Sequence, residues 1–191
     1  MNGIDGRFVI PIFKLLKKNN MKKILALSLL STFLIFQNAE AQGTRKSPKV
    51  SVSETINSGA TITIEYGQPS VNGRTIGTDL EPKEGTVWRM GANEATTFEV
   101  DKDVTIDGNK IPAGKYSLFG IAKDNSFTLI LNSAWKIWGT QYETNKEKDV
   151  VKFDVKKLKS DNFSEKLTYT ISKEGKVSLS WGDMQIAFWV K

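Results

Sequence analysis

The stretch TITIEY at residues 61–66 alternates polar and apolar side chains without interruption. A β-strand directs successive side chains to opposite faces of a sheet, so Ile62, Ile64 and Tyr66 fall on one face. The same period of two recurs in five later segments, at residues 127–131, 151–155, 167–171, 177–181 and 184–190. The sequence therefore predicts a sheet protein in which each strand buries one face.

Residues that favour tight turns separate these segments. Asp107-Gly108 and Glu174-Gly175 supply the positive φ that hairpin turns need, and Gly182-Asp183 stands between the last two segments. Strands expected at 50–56, 87–90, 96–100, 104–106 and 116–121 bring the total to about nine to eleven. We predict one all-β domain over residues 50–191, an antiparallel, jelly-roll-like β-sandwich whose last strand is central or well covered. Only residues 145–150 suggest a helical turn.

The first 41 residues have the composition of a targeting segment. Lys22 and Lys23 precede an uncharged apolar run at 24–36, and Ala39-Glu40-Ala41 places small residues at the cleavage positions. The run is shorter than the roughly 20 residues that an anchored membrane helix needs. We predict a signal peptide that is cleaved after Ala41, with the true start at Met21 and residues 1–20 as an upstream extension.

Cleavage there leaves a secreted or periplasmic protein in which residues 42–49 form a linker. The chain has no Cys, so a lipid anchor is excluded and no membrane anchor remains after cleavage. Residues 1–41 carry six of the 27 basic and two of the 21 acidic side chains, so cleavage lowers the net charge from +6 to +2. The remaining basic group, Lys156-Lys157-Leu158-Lys159, is interpreted as a solvated turn, and we expect no nucleic-acid partner.

The absence of Cys and His excludes several classes of chemistry. Ser-His-Asp triads, Cys nucleophiles, disulfides and ordinary zinc, copper or haem sites need imidazole or thiol groups. Asp101, Asp103 and Asp107 flank a strand, but they lack the spacing of a calcium-binding loop. We expect no cofactor and no metal.

Two loops combine small residues with groups that recognise ligands. Residues 67–77 are rich in Gly and Pro, and residues 88–97 place an aromatic ring, a guanidinium, a carboxamide and a carboxylate close together. If the loops meet, they form a polar floor for an anionic or hydroxylated ligand, with Trp88 or Trp138 as a wall. The candidate ligand-binding residues are Arg74, Trp88, Arg89, Asn93, Glu94 and Trp138.

Each of these features also has a purely structural interpretation. Asn93 and Glu94 can stabilise their own loop through local hydrogen bonds. Trp135 and Trp138 can form a stacking platform for a sugar ring, or they can cover an open end of the core. Trp189 is out of phase with the apolar set of its strand, so it marks either a second buried face or an exposed contact patch.

Three motifs resemble those of a known family. They are Y-x-x-P-x-x-x-G-R at 66–74, W-R-x-G-A-N-E-A-T at 88–96 and P-A-G-x-Y-S-L at 112–118. Over residues 48–191 the chain resembles the secreted Bacteroidota family called domain of unknown function 2911. The resemblance implies secretion and the β fold, and it implies no activity. Lys152 stands where that family often carries Arg, which argues against a bidentate clamp at this position.

Three functions remain open at this point. We favour a secreted, non-catalytic binding module for a small polar or saccharide ligand or an envelope partner. A hydrolase using Glu94 would need a second carboxylate across the scissile bond. The candidates for that carboxylate are Asp79, Glu81, Glu84 and Asp149. A structural or interaction protein of the cell envelope would instead use an exposed apolar patch at Trp189.

Overall fold

The computed structural model describes residues 45–191. The predictions of a signal peptide, its cleavage site and an upstream extension concern residues 1–41 and lie outside the described residues. The described part contains the strands β1 (Lys49–Thr55), β2 (Thr61–Gly67), β3 (Val87–Trp88), β4 (Thr96–Val100), β5 (Val104–Ile106), β6 (Asn109–Ile111), β7 (Gly114–Ala122), β8 (Ser126–Asn132), β9 (Asp149–Ile171) and β10 (Lys176–Trp189). In the same part of the chain, the 3₁₀ turn Lys146–Lys148 agrees with the expected helical turn.

Most strands belong to one curled antiparallel sheet. Its order is β1-β2-β4-β7-β8-β9-β10, and β3 adds to it by pairing with β7. Strands β5 and β6 form a separate hairpin, of which the sequence pattern had revealed only β5. The prediction of an all-β, antiparallel, sandwich-like domain is confirmed. Within residues 45–191 no helix is long and apolar enough to cross a membrane.

Strands β9 and β10 are each continuous where the sequence predicted two strands joined by a turn. Lys157 pairs with Ile186, so the basic group at 156–159 belongs to a strand and the prediction of a turn there is wrong, although its side chains are exposed as predicted. Gly182, at φ +61°, lies between two register shifts and forms a bulge that bends the hairpin without reversing the chain. A bulge and a turn both favour a residue that accepts positive φ, which is why the sequence did not separate them.

The bend folds the last hairpin across the inner face of the sheet. Tyr169 of β9 meets Tyr66 of β2 with ring centroids 4.8 Å apart, and Phe188 of β10 meets Phe98 of β4 at 6.0 Å. Phe188 and Ile186 are buried in the main apolar cluster. The prediction that the last strand is well covered is therefore confirmed.

A second, smaller apolar cluster lies on the outer face of the sheet. Phe119 and Ile130 are fully buried there, while their strand neighbours Leu118 and Leu129 belong to the main core. Tyr142 packs against Phe119 with ring centroids 4.9 Å apart. Because Tyr142 belongs to the connection between β8 and β9, that connection lies on the outer face. This packing positions the candidate site.

Candidate functional site

A hollow of about 310 Å³ lies beside the β8–β9 connection on the outer face. We call it the tryptophan hollow, because Trp135 and Trp138 line it and are 42% and 48% exposed. Glu65, Glu94 and Thr97 contribute polar groups to its lining. The remaining lining residues are Lys49, Tyr66, Gly67, Ala95, Lys136 and Ile137. The hollow thus combines two half-exposed indole rings with charged groups of both signs.

Backbone hydrogen bonds attach the loop at 88–97 to the β8–β9 connection. Ala95 N donates to Ile137 O at 3.2 Å, and Gly139 N donates to Asn93 O at 3.1 Å. Glu94 and Trp138 form an antiparallel bridge pair between these two bonds. The two side chains share one hollow because the backbones of their loops are paired.

Asn132, at the end of β8, anchors both ends of the connection. Its side chain is fully buried, and Nδ2 donates to Asn145 O at 2.7 Å and to Asp149 Oδ1 at 2.8 Å. Its Oδ1 accepts from Ala134 N at 2.8 Å. Both donors and the acceptor of the amide are therefore used to hold the segment that carries the two tryptophans.

Asp149 extends this network under the connection. Its Oδ2 accepts from the Tyr142 hydroxyl at 2.7 Å and lies 2.9 Å from Lys152 Nζ. The hydrogen bond to Asp149 is the main reason that the pKa of Lys152 is raised, whereas burial is the main reason that the pKa of Tyr142 is raised. Asp149 therefore holds the loop and does not face the hollow as a second catalytic carboxylate.

Arg45 holds the Glu94 carboxylate. Arg45 Nη1 donates to Glu94 Oε1 at 3.1 Å, and Nη2 donates to Oε2 at 2.6 Å. This bidentate pair is the main cause that lowers the pKa of Glu94 below its ordinary value. Glu94 is consequently ionised at neutral pH and can act only as a hydrogen-bond acceptor.

Residues 45–48, predicted to be part of a linker, lie against the domain. Ser47 O accepts from Asn93 Nδ2 at 3.4 Å, and Pro48 O accepts from Gln68 N at 2.8 Å. These contacts hold the segment next to the tryptophan hollow. The sequence did not reveal this placement, because short polar segments with Ser and Pro have the composition of linkers.

Glu65 is a second carboxylate of the hollow, and the sequence analysis did not select it. Lys115 Nζ lies 2.7 Å and Lys49 Nζ 3.3 Å from its carboxylate oxygens. The Lys115 hydrogen bond is the main cause that lowers the pKa of Glu65. The same Lys115 Nζ lies 5.3 Å from the centre of the Trp135 ring, within the range of a cation–π contact. Alternation in β2 places Glu65 on the outer face, but only the topology brings Trp135 to that face.

Thr97 lies in the wall of the same hollow, with its hydroxyl oxygen buried. Its side chain is only 8% exposed, and Oγ1 has no hydrogen-bond partner among residues 45–191. A buried polar group without a partner costs about 1–3 kcal/mol.

Arg89 and Asn93 lie behind the hollow and do not line it. Arg89 Nη1 donates to Asn93 O at 3.2 Å, and Asn93 adopts φ +68°. Arg89 also packs on Gly139, where an added Cβ would lie 2.1 Å from Arg89 Cδ. In this structure, the two residues predicted to bind a ligand stabilise the loop. For Asn93, this is the structural interpretation that the sequence analysis left open.

Trp88 and Arg74 lie apart from the hollow. Trp88 is 2% exposed and packs in the main core against Phe127, with ring centroids 6.5 Å apart. Arg74 donates from Nε to Val71 O at 3.1 Å and from Nη2 to Ser70 O at 2.7 Å. Of the two expected walls, only Trp138 lines the hollow, because Trp88 lies on the inward phase of its strand.

The nominated carboxylates have local partners or lie elsewhere. Asp79 accepts from Thr75 N at 2.9 Å, and Glu81 accepts from Lys83 N at 2.7 Å. Glu84 lines a different depression. Within residues 45–191, acidic side chains do not gather in groups of three or more that could hold a metal ion. None of the four nominated carboxylates lies with Glu94 in the lining of the tryptophan hollow.

The comparisons with known proteins give one match. A family model described as "Protein of unknown function (DUF2911)" matches residues 47–190. No curated protein and no solved structure shows a significant match. The matched range contains every strand of the described domain and every residue that lines the tryptophan hollow.

Proposed function

The chain belongs to the family of proteins of unknown function called DUF2911, and we propose that it is an exported, non-catalytic binding module. Its ligand would be a small polar molecule or a saccharide held in the tryptophan hollow. One observation carries the proposal: two half-exposed indole rings and two ionised carboxylates line the same hollow.

The tryptophans favour a ligand over a covering role. Trp is highly buried on average in folded proteins, yet Trp135 and Trp138 remain 42% and 48% exposed. The connection that carries them is anchored by the fully bonded amide of Asn132. Rigid, exposed aromatic rings supply large contact areas at a small entropic cost, and they suit the apolar faces of sugar rings.

The polar groups of the hollow suit a ligand rich in hydroxyls. Glu94 accepts hydrogen bonds, and Lys49 donates them. Hydroxyl groups on a ligand can pair with both. The volume of about 310 Å³ is at the lower end of the range for ligand pockets, so it favours a small ligand or the end of a glycan.

A hydrolase is the second candidate, because Glu65 and Glu94 line one hollow. A general acid in such an enzyme needs a carboxyl group with a raised pKa. Cationic partners lower the pKa of both carboxyls instead. The electrostatics of the hollow therefore favour binding over acid catalysis.

The test is a titration of the purified protein with mono- and disaccharides, including amino sugars and uronic acids. At least one should raise the melting temperature in proportion to its concentration. Trp138→Ala should weaken that ligand by about tenfold or more. Trp189→Ala is the matched control, since it removes an indole that is 50% exposed outside the hollow.

The binding proposal fails if no member of the panel binds, or if both variants weaken binding equally. Export is tested separately by measuring the mass of the protein recovered from the periplasm or medium. A mature chain that begins at Gln42 would support the predicted cleavage. An intact Met1 or Met21 start would overturn it.

A further inference from the structure

A larger hollow, of about 750 Å³, lies between β9 and β10. We call it the β9–β10 cleft. Its walls come from Phe153, Asp154 and Val155 of β9 and from Ala187, Phe188 and Trp189 of β10. The turn Asp107-Gly108 of the β5–β6 hairpin closes one end. The cleft shares no lining residue with the tryptophan hollow.

The cleft forms where β9 and β10 stop pairing although both strands continue. Their register ends at Lys157 opposite Ile186. Strand β9 nevertheless extends back to Asp149, and β10 extends forward to Trp189. Two strand edges therefore face the same hollow.

The end of β10 is held by a different strand. Thr105 N donates to Lys191 O at 2.8 Å, and Lys191 N donates to Thr105 O at 3.0 Å. These paired bonds tie the C-terminal end of β10 to β5. Just beyond β10 the chain is thus paired with β5 and not with β9.

Side chains from both faces of the sheet reach the cleft. Phe153 and Phe188 belong to the buried face and meet with ring centroids 5.7 Å apart. Asp154 and Trp189 belong to the outer face, and Trp189 is 50% exposed. A strand placed in the cleft would direct alternate side chains toward the phenyl rings and the others toward Trp189.

We propose that the β9–β10 cleft binds an extended peptide segment, which adds as a strand between β9 and β10. Strand edges carry N–H and C=O groups that an extended chain can pair with. One strand residue occupies roughly 3.3 by 4.8 by 10 Å, or about 160 Å³. The cleft therefore accommodates about four or five residues. The favoured segment carries apolar side chains at every second position, facing the phenyl rings.

The test uses acetylated, amidated hexapeptides with Val, Leu, Phe or Tyr at even positions and Thr or Lys at odd positions. They are titrated into nitrogen-15-labelled protein up to about millimolar concentration. Binding should shift the amide signals of residues 153–156 and 187–189 and slow their hydrogen exchange by about tenfold or more. Trp189→Ala should weaken the peptide about fivefold, and Trp138→Ala should leave its affinity unchanged.

N-methylation at alternate residues supplies the decisive control. It keeps every side chain but removes the donors on one edge of the peptide, so binding should weaken by about tenfold. Equal affinity of the methylated peptide would overturn the proposal, as would shifts confined to the tryptophan hollow or failure of every peptide to bind. Concentration-dependent shifts at 187–189 without peptide would assign the cleft to a second copy of the chain and overturn it as well.

Discussion

Arg45 binds Glu94 through both terminal nitrogens of its guanidinium, although 49 residues separate the two in sequence. Their side chains are 36% and 48% exposed, so water and salt screen the pair and its contribution to the free energy of unfolding is small. Its effect is positional, because it ties the segment before β1 beside the tryptophan hollow and supplies a donor to each oxygen of Glu94. A ligand that donates to Glu94 must compete with Arg45.

Removing this competitor should strengthen ligand binding. We expect Arg45→Ala to lower the free energy of unfolding by about 1 kcal/mol or less. We expect it to raise the affinity of a saccharide in the tryptophan hollow about threefold to tenfold, because the ligand no longer has to displace Arg45 from the Glu94 carboxylate. Titration calorimetry measures the effect, and Lys46→Ala is the control for loss of a neighbouring cation. A loss of affinity in Arg45→Ala would instead mean that Arg45 contacts the ligand.

The same pair has a defined pH dependence. The hydrogen bond from Arg45 lowers the pKa of folded Glu94 below its ordinary value of 4.5. A carboxyl with a lowered folded pKa stabilises the fold above its unfolded pKa, and this stabilisation is lost as the pH falls through the folded value. The difference in melting temperature between the wild type and Arg45→Ala should therefore be constant above about pH 5.5 and vanish in stronger acid. A difference that grows in acid would contradict the assignment.

Strand alternation predicts the fold where one face of a strand is buried. Residues 61–66 form most of β2, and residues 127–131 lie inside β8. The rule was insufficient at β10, because a bulge at Gly182 interrupts the alternation as a turn would. It was insufficient at β9 because residues 156–159 are exposed at successive positions and show no alternation. Strand β6 was not predicted, because it has only three residues, two of them polar and exposed.

The sequence identified only those residues of the candidate site that lie in loops of unusual composition. Glu94 and Trp138 lie in loops whose composition drew attention to both. Arg45 and Glu65 reach the site through long-range pairing, which spacing in one sequence does not encode. Trp88 was predicted to bind a ligand because it stands beside polar loop residues. Its position on the inward face of its strand places it in the core instead.

Loss of the Asn132 amide should loosen the β8–β9 connection. Asn132→Ala removes the three hydrogen bonds of a buried amide and leaves Asp149 with one donor fewer. We expect a loss of about 2–4 kcal/mol in the free energy of unfolding, faster hydrogen exchange across residues 133–148 and weaker saccharide binding. Asn125→Ala, at an exposed position, should change none of these measurements. Unchanged exchange in Asn132→Ala would show that Tyr142 packing alone holds the connection.

Two glycines with positive φ test how closely the chain after β10 approaches the β9–β10 turn. Gly175 has φ +89° and Gly73 has φ +71°, so an Ala at either position is strained by about 1–2 kcal/mol. Only Gly175 meets another backbone, since an added Cβ would lie 2.0 Å from Val190 O, whereas the space around Gly73 is open. Val190 N also donates to Gly175 O at 2.9 Å, so the two segments cannot separate without losing that bond. Chemical denaturation should therefore give a total loss of about 3 kcal/mol or more for Gly175→Ala. The loss for Gly73→Ala should be only that of the backbone strain, and equal losses would mean that Val190 does not approach Gly175 this closely.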